Sequence, residues 1–313
     1  MTASIIIPTL NEKENIANTL YVWLNQSYTN LEIIIVDGGS TDGTCDIVEE
    51  ISKIHNNVRL LVEKKTGPAE ARNKGCKAAN GEIVVFADAD IAGVNKDFLK
   101  NSIKHFDDLN VIGVSPDAEY SNDTLVETAF FSGRKSTGLN AMLSYYPLLM
   151  RQDTFLELGG FPDIGFGEDL IMRDKVIKKV ITSPKKLVFE PQSIVSIHGP
   201  HTLGEFWTQQ KWYGRTFPLY AAKARPELEG YINFYLNTFL SCTLFFIFFV
   251  PYFPVLIVNL TPLLFSFTLY LLNGIKNSNL KISLVKFLLI LIGGFAKGFG
   301  LLEYLLGKRR IGR

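Results

Sequence analysis

Residues 82–90 read EIVVFADAD, a run of branched and aromatic side chains followed directly by two carboxylates. A short segment that is apolar throughout predicts a strand buried on both faces, as in a parallel sheet covered by helices. The carboxylates of Asp88 and Asp90 repel each other unless a cation or hydrogen-bond donors compensate them. Oxygen ligands of this kind suit Mg²⁺ or Mn²⁺. The segment therefore predicts a buried strand that ends at a cation-binding edge.

Similar apolar runs recur through the first 115 residues, with segments of helical spacing between them. Strands are predicted at Ser4–Pro8, Leu31–Asp37, Val58–Val62, Glu82–Asp88 and Val111–Ser115. Helices are predicted over Glu12–Leu24, Asp42–His55, Ala69–Ala79 and Asp97–Asp107. Strands that alternate with helices of this length indicate βαβ units, so we predict an α/β fold whose mostly parallel sheet is flanked by helices.

Polar residues follow three of these strands at the point where each strand ends. They are residues 8–12 (PTLNE), residues 37–42 (DGGSTD) and the pair of aspartates at 88 and 90. Each group alone is explained by a helix cap or a tight turn. Ligands of open α/β sheets bind beyond the carboxyl ends of the strands, where these three groups would meet. We therefore expect the binding site at this edge.

Two further groups of polar residues lie downstream. Residues 167–170 (GEDL) open a predicted helix that runs to about Val180. Glu168 and Asp169 either favour the dipole of that helix or provide a general base in a cleft. His198 and His201 follow an apolar strand, where a histidine is either structural or a metal ligand.

The C-terminal third of the sequence is strongly apolar. No charged residue occurs from Gly230 to Ile275, and a span needs roughly 20 apolar residues, so this segment is long enough to cross a bilayer twice. We predict spans near 233–250 and 254–273. A third apolar segment, 283–306, is interrupted by three charged residues. A very apolar soluble helical core is the alternative.

Charge and composition restrict the partners. Charged residues make up 20% and aromatic residues 12% of the chain, which excludes a disordered or collagen-like protein. The net charge of +1 combines an acidic body with a basic tail after Lys276. This distribution argues against nucleic acid and directs the tail towards anionic membrane lipid.

The opening residues, MTASIIIPTL, lack the basic region of a signal peptide, so we expect a cytoplasmic N-terminal domain on a multi-pass protein of the cell membrane. The basic tail is also expected inside. Two crossings satisfy both expectations and leave 283–306 as a helix lying in the interface. Three crossings are the alternative.

Taken together, these residues resemble the family 2 glycosyltransferases, which have the GT-A fold. The resemblance covers roughly residues 1–220 in consistent order. It rests on IIIPTLNE (5–12), VDGGSTDGT (36–44), GPAEARNKG (67–75), DAD (88–90), GGF (159–161) and the Glu168-Asp169 pair. It implies a GT-A domain at 1–229, a transmembrane hairpin at 230–275, and a third apolar helix with the basic tail at 276–313.

The resemblance also implies roles for individual residues. Base and ribose of the donor would be bound by Pro8, Asn11, Glu12 and Asp37, with Arg72 beside the nucleotide. Asp88 would hold ribose or the metal, Asp90 would hold Mg²⁺ or Mn²⁺, and His198 would complete the metal shell, with His201 as the alternative. Asp169, next to Glu168, would be the general base.

Such enzymes transfer a sugar from a UDP- or GDP-sugar with inversion at the anomeric carbon. The GGF and Glu-Asp motifs favour a hydroxyl acceptor on a lipid-linked or cell-surface glycan over a polyprenyl phosphate. Two competing hypotheses are a nucleotidyltransferase and a catalytically degenerate, membrane-anchored nucleotide-sugar-binding protein. A nucleotidyltransferase would usually carry a basic Gly-rich loop after the first strand, and residues 8–12 are not one.

Overall fold

The computed structural model describes residues 1–63, 66–91, 93–132, 149–165, 167–224, 238 and 280–307. The chain divides into two compact units. The first contains Met1–Tyr120 and the described residues 149–197, and the second contains the described residues from 121 to 132 and after 197. The predicted domain boundary at 229, the predicted spans near 233–250 and 254–273, and the tail 308–313 lie outside the described residues.

Eight strands of the first unit form one sheet within the described residues. They are β1 (Ala3–Thr9), β2 (Leu31–Asp37), β3 (Val58–Val62), β4 (Ile83–Phe86), β5 (Gly93–Val94), β6 (Val111–Tyr120), β7 (Leu149–Arg151) and β8 (Lys186–Ile197). Their order is β3-β2-β1-β4-β7-β6-β8-β5. β1 to β4 pair in parallel, as do β6 and β8, whereas β7 is antiparallel to both its neighbours and β5 is antiparallel to β8. The predicted α/β fold is confirmed, with a mixed sheet.

Helices of the described residues connect these strands and continue beyond them. They are α1 (Ile16–Leu24), α2 (Thr44–Ile54), α3 (Pro68–Ala78), α4 (Phe98–Ile103), α5 (Leu125–Phe131), α6 (Gln152–Glu157), α7 (Glu168–Thr182), α8 (Leu203–Ala224) and α9 (Leu280–Leu305). A 3₁₀ turn, Lys104–Asp107, continues α4. The predicted helix Glu12–Leu24 begins later, at Ile16, because loop side chains accept the backbone N–H groups of Glu12 and Lys13.

Helices cover both faces of the sheet, which is why the strands of its parallel half are apolar throughout. Along β1, Ile5 and Ile7 belong to one core cluster with Leu20 of α1, and Ile6 belongs to a second cluster with Cys76 of α3. α3 approaches β1 closely, since a side chain at Gly75 would overlap Ile6. This packing fixes the carboxyl ends of β1, β2 and β4 at one edge.

Two strands were not predicted, namely β5 and β7, whereas the apolar strand expected before His198 is β8. β5 and β7 are two and three residues long, too short to show a hydrophobic period. β8 carries Lys186, Glu190 and Gln192 among its apolar residues, and β6 continues five residues past its predicted end at Ser115. The extension of β6, Asp117–Tyr120, pairs with the end of β8, Ile194–Ile197.

The second unit contains α5, α8 and α9. α8 and α9 approach each other closely at Gly214 and Gly300, where any side chain would overlap backbone of the opposite helix. The ammonium group of Lys211 pairs with Glu303 at 2.8 Å. Among the described residues, α9 is the one helix long and apolar enough to cross a membrane, and 33% of its apolar window is buried in the protein. Whether it crosses or lies in the interface stays a prediction.

Candidate active site

The loops after β1 and β2 are held together by reciprocal hydrogen bonds. The backbone N–H of Asn11 donates to Ser40 Oγ at 2.8 Å, and the N–H of Thr41 donates to Asn11 Oδ1 at 2.9 Å. Asn11 has a φ of +57°, a conformation that asparagine tolerates better than most residues. Pro8 pairs with Val36 in the register of β1 and β2. The structure therefore brings the predicted donor-binding residues of the two loops to one edge.

Asp37 ends β2 and is fully buried. Its carboxylate accepts hydrogen bonds from the N–H groups of Gly39 (2.9 Å) and Ser40 (2.8 Å) and from Ser40 Oγ (2.5 Å). Thr9 Oγ1 donates a fourth, at 3.3 Å. Burial opposes ionisation, but these donors outweigh it and hold the pKa of Asp37 below its ordinary value. The carboxylate is therefore a fixed anion that shapes the loop.

Glu12 lies at the same edge through a different set of contacts. Its N–H donates to Thr44 Oγ1 at 2.9 Å, and its Oε2 accepts a hydrogen bond from Asn15 Nδ2 at 2.9 Å. The loop after β1 is thus fastened to the start of α2 as well as to the loop after β2.

Arg72 links two of the predicted catalytic motifs. Its guanidinium, on α3, donates to Asp88 Oδ1 at 2.5 Å and to Glu168 Oε1 at 3.1 Å. It also lies over the ring of Phe161, 5.8 Å from the centroid. Arg72 is buried, whereas the Asp88 side chain is 65% exposed. The end of β4 and the start of α7 are therefore joined by one charged side chain.

Glu168 and Asp169 occupy the first turn of α7, after Gly167 with a φ of +80°. Burial raises the pKa of Glu168 to about 7; the positive charge of Arg72 opposes that rise and the neighbouring charge of Asp169 adds to it. Burial also raises the pKa of Asp169. Carboxyl groups with raised pKa values are suited to exchange protons near neutral pH.

The side-chain amide of Asn73 joins two of the sequence motifs, residues 67–75 and residues 159–161. Asn73 donates from Nδ2 to the Phe161 carbonyl at 2.8 Å and accepts the Phe161 N–H at 2.9 Å. Gly159 and Gly160 have positive φ values, and a Cβ on Gly160 would lie 2.5 Å from Asn73 Oδ1. The ring of Phe161 packs on Phe86 of β4, with centroids 4.9 Å apart. The segment before α7 is thereby fixed against the strand that leads to Asp88.

Asp88 and Asp90 are exposed at the end of β4. Thr19 Oγ1 donates to the carbonyl of Ala89 between them, at 2.6 Å, and so fixes the turn. The two aspartates offer hard carboxylate oxygens as metal ligands at an exposed edge, and such oxygens fit Mg²⁺ or Mn²⁺. The roles predicted for Asp88 and Asp90 stay predictions.

The structure places His198 and His201 in the second unit, around Glu127 of α5. His198 Nδ1 lies 3.4 Å from Glu127 Oε1, and His201 Nδ1 lies 3.6 Å from Glu127 Oε2. Burial opposes ionisation of Glu127, but hydrogen bonds from Ser121 and the Gly199 N–H, with the nearby histidines, hold its pKa below the ordinary value. Sequence reasoning missed Glu127. The role predicted for His198 in the metal shell beside Asp88 and Asp90 stays a prediction.

The chain belongs to glycosyl transferase family 2, whose model matches residues 4–176. A dolichyl N-acetyl-alpha-D-glucosaminyl phosphate 3-beta-D-2,3-diacetamido-2,3-dideoxy-beta-D-glucuronosyltransferase of Methanococcus voltae is 43% identical over 107 residues, 33% of each chain. The glycosyltransferase AglE of Haloferax volcanii is 29% identical over 170 residues, 51% of this chain and 56% of that protein. The chain therefore matches a third to just over half of the length of these relatives.

Two solved structures share the fold. The mannosyltransferase PcManGT of Pyrobaculum calidifontis, in complex with GDP-Man and Mn²⁺, aligns with a TM-score of 0.61 at 20% identity, covering 98% of this chain and 87% of that one. TarS 1–349 of S. aureus, in complex with UDP-GlcNAc, aligns with a TM-score of 0.52 at 22% identity, covering 68% and 66%. The GT-A fold implied by the sequence motifs is confirmed.

Proposed function

We propose that the chain is an inverting, metal-dependent glycosyltransferase that moves a sugar from a nucleotide-sugar donor to a hydroxyl group. The observation that carries this proposal is the chain of contacts Asp88–Arg72–Glu168, with distances of 2.5 and 3.1 Å. It joins a carboxylate edge suited to a cation with carboxyl groups suited to accept a proton. Such a pairing of sites is what a displacement assisted by a general base requires.

The donor side is assigned to the strand ends. Pro8, Asn11, Glu12 and Asp37 line the base and ribose pocket, and Arg72 lies beside the nucleotide. Asp90 would hold Mg²⁺ or Mn²⁺, with His198 completing the metal shell and Asp88 binding either the ribose or the metal. The cation would stabilise the negative charge of the departing nucleoside diphosphate. The donor is a UDP- or GDP-sugar, an assignment supported by the UDP-GlcNAc and GDP-Man bound to TarS and PcManGT.

The proton is accepted by Asp169. Inversion needs a base on the face of the sugar opposite the leaving group. Asp169 is less buried than Glu168, which leaves it the better placed of the two to meet an acceptor hydroxyl. Glu168 orients Arg72 through their 3.1 Å contact. The raised pKa of both carboxyl groups supports a proton-transfer role for the pair and does not separate the two residues.

The acceptor is a sugar hydroxyl on a lipid-linked or cell-surface glycan, reached at the cytoplasmic face of a membrane. The Methanococcus voltae relative is named as acting on a sugar carried by dolichyl phosphate, which supports a lipid-linked acceptor. The apolar helix α9 supports contact with membrane lipid.

Asp90→Asn tests the metal assignment. An amide is a neutral and poorer ligand for a hard cation. With the purified full chain, we expect release of UDP or GDP from nucleotide-sugars to require Mg²⁺ or Mn²⁺ and to fall about 100-fold or more in Asp90→Asn. Asp107→Asn, a change of the same kind at an exposed site, is the matched control. Full metal-dependent turnover in Asp90→Asn would overturn the assignment, and transfer to polyprenyl phosphate in place of a glycan would overturn the acceptor.

A further inference from the structure

The turn after β4 alternates between exposed and buried residues. Asp88 and Asp90 are exposed, whereas Ala89 between them is 4% exposed and belongs to the hydrophobic core. A buried backbone carbonyl needs a hydrogen-bond donor inside the protein. Thr19, which is 1% exposed on α1, supplies that donor, with 2.6 Å between its Oγ1 and the Ala89 oxygen. One buried hydroxyl therefore holds the residue between the two carboxylates.

The direction of the Ala89 carbonyl affects the aspartate that follows it. This carbonyl lies in the planar peptide group that joins Ala89 to Asp90, so its rotation also rotates the backbone from which the Asp90 side chain starts. Asp88, on the other side of Ala89, is held by Arg72 at 2.5 Å. Repulsion between the two carboxylates favours any rotation that moves them apart. The hydrogen bond from Thr19 opposes a movement of Asp90 away from Asp88.

The chain beyond this turn is attached to the end of α1 by contacts that do not involve Thr19. Gln26, which follows α1 and is buried, donates from Nε2 to the Asn95 carbonyl at 3.1 Å. Its Oε1 accepts the Leu99 N–H, also at 3.1 Å. A change at Thr19 leaves these contacts in place. We therefore expect loss of the Thr19 hydroxyl to act on the turn at Ala89 rather than on the fold.

We propose that Thr19 is a positioning residue for the divalent cation, because its hold on the Ala89 carbonyl keeps the Asp90 carboxylate directed to the ion beside Asp88. This role rests on the proposed function, since it requires a cation at Asp90. Thr19 acts through the backbone and contributes no ligand. Groups that orient metal ligands from outside the coordination shell typically change metal affinity about 10- to 100-fold when they are removed. The expected effect is therefore on the affinity for the cation.

The test measures calorimetric binding of UDP and of GDP to the purified full chain at increasing Mn²⁺ concentration, without turnover. Thr19→Val keeps the shape of the side chain but lacks the hydroxyl. We expect it to raise the Mn²⁺ concentration for half-maximal nucleotide binding about 10-fold or more, with nucleotide affinity in the absence of Mn²⁺ unchanged. Thr19→Ser keeps the hydroxyl and should restore most of the wild-type Mn²⁺ requirement. Thr19→Ala, which also lacks the hydroxyl, replaces Thr19→Val if that variant does not fold.

Two control variants separate positioning from a loss of stability. Thr216→Val makes the same change at a threonine of α8 that is also 1% exposed and donates to the Trp212 carbonyl at 2.9 Å. Gln26→Met removes both hydrogen bonds between Gln26 and the segment after the turn. We expect Gln26→Met to lower the Tm, and we expect both controls to keep the wild-type Mn²⁺ requirement.

The possible results separate the positioning role from the proposed function. A raised Mn²⁺ requirement in Thr19→Val that Thr19→Ser restores, and that neither control shows, supports the role. An unchanged requirement in the variants without the hydroxyl, a failure of Thr19→Ser to restore it, or an equal rise in Gln26→Met overturns the role and leaves the proposed function intact. If Mn²⁺ strengthens the binding of neither nucleotide to the wild-type chain, the metal dependence in the proposed function is wrong, and the positioning role is wrong with it.

Discussion

Asp37 and Glu168 are both buried carboxyl groups of the first unit, yet their pKa values shift in opposite directions. Both side chains are buried from solvent, with Asp37 0% exposed and Glu168 8% exposed. Several hydrogen-bond donors surround the carboxylate of Asp37, whereas Glu168 contacts the guanidinium of Arg72 at 3.1 Å. Hydrogen-bond donors outweigh burial at Asp37 and keep it ionised, whereas burial prevails at Glu168.

This difference separates a carboxylate that shapes a loop from one that can exchange a proton. An ionised group held by backbone N–H groups is rigid and unsuited to accept a proton near neutral pH. A group whose pKa is raised to about 7 changes its protonation state where enzymes commonly work. We therefore expect changes near Asp37 to act on stability and changes near Glu168 to act on turnover and its pH dependence.

The largest effect is expected at Asp169, beside Glu168. Asp169→Asn removes the proposed base, and general bases contribute about 10²- to 10⁴-fold to turnover. The base acts only in the transition state, so donor affinity should remain near normal. Steady-state kinetics and titration with UDP or GDP measure the two quantities, and Asp174→Asn, an exposed change on the same helix, is the control. An equal loss of donor affinity would place Asp169 in the donor pocket instead.

The next effect is on stability. Asp37→Asn keeps the shape of the side chain, and its amide oxygen can still face the N–H groups of Gly39 and Ser40, but it removes the negative charge that these groups and two hydroxyls stabilise. Hydrogen bonds to a charged group contribute about 1.5–3 kcal/mol each and those between neutral groups about 0.5–1.5 kcal/mol, so we expect a loss of about 2–4 kcal/mol and a Tm lower by about 5–15 °C. Asp46→Asn on the exposed face of α2 should change the Tm little. Equal melting temperatures for wild type and Asp37→Asn would show that the four donors contribute no net stability.

Both carboxyl groups could be chosen from the sequence, because each adjoins a recognisable element. Asp37 follows the apolar run of β2, and Glu168 opens an amphipathic helix. The strands of the parallel half were predictable for the same reason, since residues buried on both faces leave an uninterrupted apolar signal. Local pattern therefore located the edge of the sheet at which these groups lie.

The contacts that set the opposite pKa shifts could not be read from the sequence. Arg72 is 96 residues from Glu168 and 16 from Asp88, and no spacing rule joins them. Glu127 was missed because Thr124-x-x-Glu127 matches a helix cap, which is a sufficient local explanation. Its approach to Gly199 spans 72 residues and depends on the tertiary fold.

A third prediction concerns pH and Glu168. Its folded pKa of about 7 exceeds the ordinary 4.5, so protonation stabilises the folded state below pH 4.5, and this contribution is lost as the pH rises through about 7. Glu168→Gln does not titrate. We therefore expect the Tm of Glu168→Gln, compared with that of wild type at the same pH, to rise across this pH range. The rise should be roughly 2–4 °C for each kcal/mol of folding stability that wild type loses. Glu157→Gln, an exposed glutamate, provides the comparison. A Tm difference that is constant with pH would mean that Glu168 titrates normally.

The smallest effect is expected when a single hydrogen-bond donor to Asp37 is removed. Ser40→Ala removes the hydroxyl that donates to Asp37 Oδ2 at 2.5 Å and accepts the Asn11 N–H at 2.8 Å. Loss of one hydrogen bond to a charged group costs about 1.5–3 kcal/mol, and loop adjustment around the half-buried Ser40 should reduce this to about 1 kcal/mol.

Because the folded pKa of Asp37 lies below 3.8, the stability that its donors contribute is present above that pH and is lost as the pH falls through the folded pKa. The Tm difference between wild type and Ser40→Ala should therefore be largest near neutral pH and shrink in acid. Ser52→Ala in α2, whose hydroxyl donates to a backbone carbonyl, should show no such pH dependence. A Ser40→Ala difference that persists unchanged in acid would mean that the hydroxyl stabilises the loop through Asn11 rather than through the ionised carboxylate.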